Sequence, residues 1–127
     1  MSVNLMLLPL ADREALNRRE IFCGTQLRLD ADNELIEMIS GLGRCDGVDA
    51  YPIPDGAAVQ YCGEEGLVVT CKTEMGGPLY FTYAGELRKI ERRWRGMKKR
   101  HISPANAAAM AYVSALPKDA PVFLNWC

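Results

Sequence analysis

Residues 57–83, AAVQYCGEEGLVVTCKTEMGGPLYFTY, carry the clearest strand pattern in the chain and decide its class. Ala57 to Cys62, a turn at Gly63 to Gly66, Leu67 to Thr73, a second turn at Met75-Gly76-Gly77-Pro78 and Leu79 to Tyr83 predict a three-stranded meander. Closing the first hairpin at Gly63 to Gly66 sets Cys62 opposite Leu67 and Ala58 opposite Cys71. Cys62, Leu67, Val69 and Cys71 then share one face. The two cysteines fall about four residues apart along the ladder, roughly 13 Å, which is too far for a disulfide. They are expected to be small core residues.

Upstream, Val3 to Leu10 (VNLMLLPL) reads as an opening strand, with Pro9 placing its end near a sheet edge. Ala11 to Glu20 is polar and fits a short helix or an ordered loop equally well. Ile21 to Leu29 (IFCGTQLRL) reads as a second strand, and Asp30 or Asp32 then offers an N-cap. The helix that follows, near Asn33 to Ser40, turns Leu35, Ile36 and Ile39 inward and stops at Gly41 and Gly43. Residues 43–56 form a loop rich in Gly, Asp and Pro.

Downstream lies Glu86 to His101, ELRKIERRWRGMKKRH. Leu87, Ile90, Trp94 and Met97 repeat at helical spacing as one narrow apolar stripe, with a possible break at Gly96, and every Arg and Lys lies off that stripe. Arg88, Arg92, Arg95 and Lys99 fall on one flank; Lys89, Arg93 and Arg100 fall on the other. Ser103-Pro104 opens an alanine-rich helix ended by Pro117. Val122 to Trp126 reads as a final strand that returns beside Val3 to Leu10. The order predicts a single α+β domain over residues 1–127, an antiparallel or mixed sheet with helices packed on one face.

The chain has 127 residues and a net charge of −1 that hides an asymmetry. Residues 86–101 hold eight Lys and Arg against two acids, a net +6, and the remainder holds seven against fourteen, a net −7. Such a split suggests an anionic partner, or an acidic surface of the same chain. A pI of 5.8 argues against a dedicated nucleic-acid domain. The five cysteines form no CxxC pair, which fits reduced thiols and a cytoplasmic location. Val3 to Leu10 is too short to span a bilayer, and no targeting segment is expected.

The segments YAGELRKI (83–90), SPANAAAMAYVSALPKDAPVFLNW (103–126) and RLDADNELIEMI (28–39) resemble small uncharacterised accessory proteins of tailed bacteriophages, over about a third of the chain. The resemblance implies a phage or prophage origin and action on a bacterial host or defence component. It transfers no functional residues, and RRWRGMKKRH lies outside it.

Catalytic patterns are sparse. His101 is the only histidine, so any nucleophile–base pair, with Cys127 for example, depends on it. Asp30, Asp32 and Glu34 start like a calcium loop, but Leu35 and Gly41 stand where Gly and Glu are required, and helix capping explains the acids. Asp46, Asp49 and Asp55 fit Asx turns better than a metal site. Trp94 fits core packing better than ligand stacking. No enzyme activity, cofactor or metal is expected. The expected function is binding that inhibits or redirects a bacterial host or anti-phage defence factor. Its contacts are Arg88, Arg92, Arg93, Arg95, Lys98, Lys99 and Arg100. The alternative is a nucleic-acid-binding protein that places the same helix against phosphates. An enzyme, a third class, would need a site built from acids such as those of residues 43–56.

Overall fold

The computed structural model describes residues 4–41, 47–97 and 102–127. Strands β1 (Leu5–Pro9) and β8 (Pro121–Trp126) pair antiparallel along their length, Leu5 with Trp126 through Pro9 with Val122. Every residue of β1 is buried. Its side chains alternate between two cores: Leu5 and Leu7 point to one, Met6 and Leu8 to the other. β8 divides the same way, Val122 and Leu124 against Phe123. A sheet apolar on both faces needs a covering layer on each.

Helices supply one layer. Helix α1 (Asn33–Ser40) buries Leu35, Ile36, Met38 and Ile39; α2 (Ala84–Arg95) buries Ala84, Leu87, Ile90 and Trp94; α3 (Pro104–Ala115) buries Asn106, Ala109, Met110 and Val113. The large sheet beneath them is completed by β3 (Leu27–Arg28), β7 (Tyr80–Tyr83) and β4 (Tyr51–Pro52), in the order β3-β1-β8-β7-β4. The other layer is a small sheet of β2 (Glu20–Phe22), β5 (Ala58–Gly63) and β6 (Gly66–Thr70). The α+β class holds, with the helices on one face of the larger sheet.

Three expectations change. The meander is split between the sheets. Its first hairpin forms in the expected register, Cys62 opposite Leu67, but β7 leaves to pair with β8 and β4. A single bridge between Lys72 and Pro78 is what remains of the third rung. The cause lies in the second turn, where Glu74 N–H donates to Asn125 Oδ1 at 2.9 Å and Met75 N–H to the Trp126 carbonyl at 3.2 Å. These bonds carry the chain from one layer to the other. Second, Cys62, Leu67, Val69 and Cys71 do share a face, but that face is exposed rather than core. The opposite face, with Val59 and Tyr61, is the one that packs on the large sheet. Third, Ile21 to Leu29 is two short strands in different sheets, because the chain crosses between layers at Gly24 to Gln26; the Gln26 amide marks the crossing by donating to the Cys62 carbonyl at 2.6 Å.

Several local readings resolve. Residues 11–20 contain a 3₁₀ helix, Arg13–Asn17, capped by Asp12. β1 is an inner strand, and Pro9 lies beyond the reach of β3, which pairs only with Met6 and Leu7. Since Leu10 N–H points to β8, the neighbouring Pro9 nitrogen points to that uncovered side, where no donor is needed. Gly41 closes α1 at φ 77°, the left-handed cap position that suits glycine; Gly43 lies outside the described residues.

The helices are joined by partly buried polar contacts. Asp32 caps α1 through Leu35 N–H at 3.1 Å, and its other oxygen accepts from the indole of the fully buried Trp94 at 3.1 Å. Asn106 of α3 exchanges hydrogen bonds with both backbone groups of Asp30, at 2.6 and 3.1 Å. Asp32→Ala removes a cap and a cross-helix bond together. It is expected to lower the unfolding free energy by about 2–4 kcal/mol, and Asp32→Asn by clearly less, read from urea unfolding midpoints.

Candidate functional site: a basic cleft beside helix α2

Helix α2 starts directly from β7. Its first amides are taken by the loop before β8: Ala84 N–H donates to the Ala120 carbonyl at 2.8 Å and Gly85 N–H to the Lys118 carbonyl at 2.9 Å. Glycine suits position 85, since a Cβ there would lie 3.1 Å from the Lys118 carbonyl oxygen and press the loop back by a few tenths of an ångström. This clamp fixes Lys118 and Asp119 beside the first turns of α2. A cleft of about 710 Å³ opens there, lined by Arg13, Tyr51, Tyr83, Glu86, Arg88, Lys89, Arg92, Lys118 and Asp119 among others.

Its aromatic wall is built by strand pairing. Tyr51 lies opposite Phe81 on adjacent strands, and Tyr83 follows Phe81 by two residues on the same face. The ring centroids of Tyr51 and Tyr83 are 5.6 Å apart, and Phe81 meets Tyr83 edge-on at 5.7 Å. The Arg13 guanidinium sits 6.0 Å from the Tyr83 ring centroid, within cation–π range.

The cations expected to contact a partner fall into different roles. Arg88 is half-buried and donates from Nε to the Ser114 carbonyl at 3.0 Å and from Nη2 to the Leu116 carbonyl at 2.9 Å. It satisfies the end of α3, where carbonyls lack helical partners. Arg95 is bonded to Glu91 one turn earlier, and Lys89 pairs with Glu86 at 3.4 Å. Arg92 reaches the cleft, and Arg93 is exposed outside it. Lys98, Lys99, Arg100 and His101 lie outside the described residues. Met97 falls past the end of α2 and is 37 % exposed, so Trp94 anchors the helix without it.

Among the described residues, Arg13, Arg92 and Lys118 form no ion pair. They come from the 3₁₀ helix, α2 and the α3–β8 loop, and no spacing in the sequence links them. Tyr51 is equally hidden, since it lies in the Gly-, Asp- and Pro-rich residues 43–56 that the sequence presents as a loop. Such a set can hold an anionic group and cover its apolar neighbour with an aromatic face. Elsewhere, burial pushes the Cys23 thiol up to about 12 from an ordinary 9.0, which keeps it protonated and a poor nucleophile. Asp49 and Asp55 sit on an exposed loop, and Asp46 lies outside the described residues. Among the described residues, no three His, Cys, Asp or Glu side chains gather as a metal site, and no helix is long and apolar enough to cross a membrane.

Comparison of the chain with protein-family models, curated proteins and solved structures finds no match.

The division of roles is testable by stability alone. Arg88→Ala is expected to cost about 1–3 kcal/mol by leaving helix-end carbonyls without their charged donor. Arg92→Ala is expected to stay within about 0.5 kcal/mol of the parent protein. Urea unfolding of the two variants side by side gives both values.

Proposed function

We propose that the protein acts by binding, taking an acidic face of a partner protein on the basic flank of α2 and the cleft beside it. The resemblance to tailed-phage accessory proteins makes a bacterial host or anti-phage defence factor the expected class of partner, met in the host cytoplasm. The observation that carries this reading is the convergence of Arg13, Arg92 and Lys118 around one cleft, none of them in an ion pair among the described residues, although Glu86 and Asp119 line the same cleft. Exposed cations on three separate elements share the cleft. Such a pattern steers association and rejects partners of the wrong sign. Arg93 extends the same charge along α2, and the sequence continues it with Lys98, Lys99 and Arg100.

Arg88 belongs to the fold on this reading, and Arg95, held by Glu91, contributes less than Arg92. A second reading, nucleic-acid binding, is favoured by Tyr51 and Tyr83, whose rings could stack on a base beside a bound phosphate. Its affinity would fall steeply with salt.

A pull-down from bacterial lysate at two salt concentrations, with and without nuclease, separates the two. The expected result is a nuclease-resistant protein partner retained by the parent protein and lost in the triple variant Arg13→Glu, Arg92→Glu, Lys118→Glu. Recovery of nuclease-sensitive, salt-sensitive material in its place supports the nucleic-acid reading. A partner held equally well by the triple variant contradicts both.

A further inference from the structure

The small sheet has an outer face that does not look like a solvent face. Alternation along its strands places Glu20 and Phe22 of β2, Ala58, Gln60 and Cys62 of β5, and Leu67 and Val69 of β6 together, with Cys71 just beyond. Only Glu20 and Gln60 are polar. Phe22 is 61 % exposed, Leu67 60 % and Val69 56 %, and Cys62 and Cys71 are exposed as well. Isolated apolar side chains on a surface need no explanation, but a contiguous patch on one sheet face marks an interaction site.

The charges around this face say what covers it. At one end the hairpin turn carries two exposed acids, Glu64 and Glu65. At the other end the Arg19 carbonyl accepts from Ala58 N–H, so exposed Arg18 and Arg19 lie where β5 begins. Exposed Lys72 lies at that same end, two residues past β6. One end of the sheet is acidic, and at the other Arg18, Arg19 and Lys72 outnumber the acids Glu20 and Asp55. A second copy turned by a two-fold axis across the strands meets this pattern with its own reversed. Each acidic turn then faces the basic end of the other copy, and Phe22, Leu67 and Val69 meet apolar side chains of the other copy around a central pair of Gln60 amides. A self-complementary patch of this kind is what a two-fold interface requires, and face-to-face sheets are a standard way to bury apolar side chains.

We infer that the outer face of the small sheet is a homodimer interface. Two copies pack face to face with their strands antiparallel, the axis runs across the rung Phe22, Gln60 and Val69, and Cys62, Leu67 and Cys71 lie to either side of it. The interface lies on the opposite side of the large sheet from the helices, and the inference does not rest on the binding role proposed for α2.

Sedimentation equilibrium over a concentration series tests it. The expected mass rises from 14.1 kDa on dilution toward twice that value at high concentration. Leu67→Lys and Val69→Lys change exposed positions, so circular dichroism should remain that of the parent protein while each variant sediments as a monomer. The pair Glu64→Lys, Glu65→Lys is expected to weaken dimerisation by at least about tenfold, as is the pair Arg19→Glu, Lys72→Glu. The four changes together should recover most of the loss. A monomer at every concentration overturns the inference, and so does a dimer that survives both lysine variants or charge changes that fail to compensate.

Discussion

Everything in this fold hangs on the pairing of β1 with β8, two strands whose side chains are apolar on both faces. LMLLP and PVFLNW cannot sit in a sheet with one wet side. Burial of a single Leu or Phe side chain is worth about 1.5–3 kcal/mol, and Leu5, Met6, Leu7, Leu8 and Phe123 are all essentially inaccessible. The pairing therefore demands two covering layers, and the rest of the chain provides them. Three helices close one side, and the β2-β5-β6 sheet closes the other.

The covering layers are held by polar contacts that apolar packing alone would not specify. On the helical side Asp32 joins α1 to α2 through Trp94, Asn106 joins α3 to the segment before α1, and Arg88 of α2 holds the end of α3. On the other side Asn125 links β8 both to the Tyr61 hydroxyl and to the turn that separates β6 from β7. Buried polar groups of this kind cost stability when left unpaired, so they favour one arrangement over slipped alternatives. The same contacts fix the cleft. The loop that clamps the first turn of α2 brings Lys118 to the side of Arg92, and β4–β7 pairing brings Tyr51 to Tyr83.

Much of this architecture was legible in the sequence because local chemistry and tertiary context agree there. Asp32 as a cap, Gly41 as a stop, Ser103-Pro104 as a start and the stripe Leu87, Ile90, Trp94 all name their own roles. The Cys62–Leu67 register follows from the two-residue turn. What escaped was set by partners distant in sequence. Nothing near Leu79 to Tyr83 says that these residues prefer β8 to β6. In residues 67–71 each face of the strand carries an apolar side chain, Leu67 and Val69 on one and Val68 on the other, so alternation could not say which face is inside. The cleft escaped for a related reason. Charge density pointed to Arg88 to Arg100, yet Arg88 is a helix clamp, and two of the three cleft cations outside any ion pair, Arg13 and Lys118, come from segments whose charges cancel.

On the proposed function, the cations around the tyrosine-lined cleft recognise acidic protein surface. Its most direct test is a chemical-shift titration of the isotope-labelled protein with poly-glutamate and, separately, with a single-stranded oligonucleotide. Salt-sensitive shifts with poly-glutamate are expected at the amides of Arg13, Tyr51, Tyr83, Arg92 and Lys118, with little change on the small sheet. Shifts spread evenly over the surface, or a response at the cleft to the oligonucleotide alone, would contradict it.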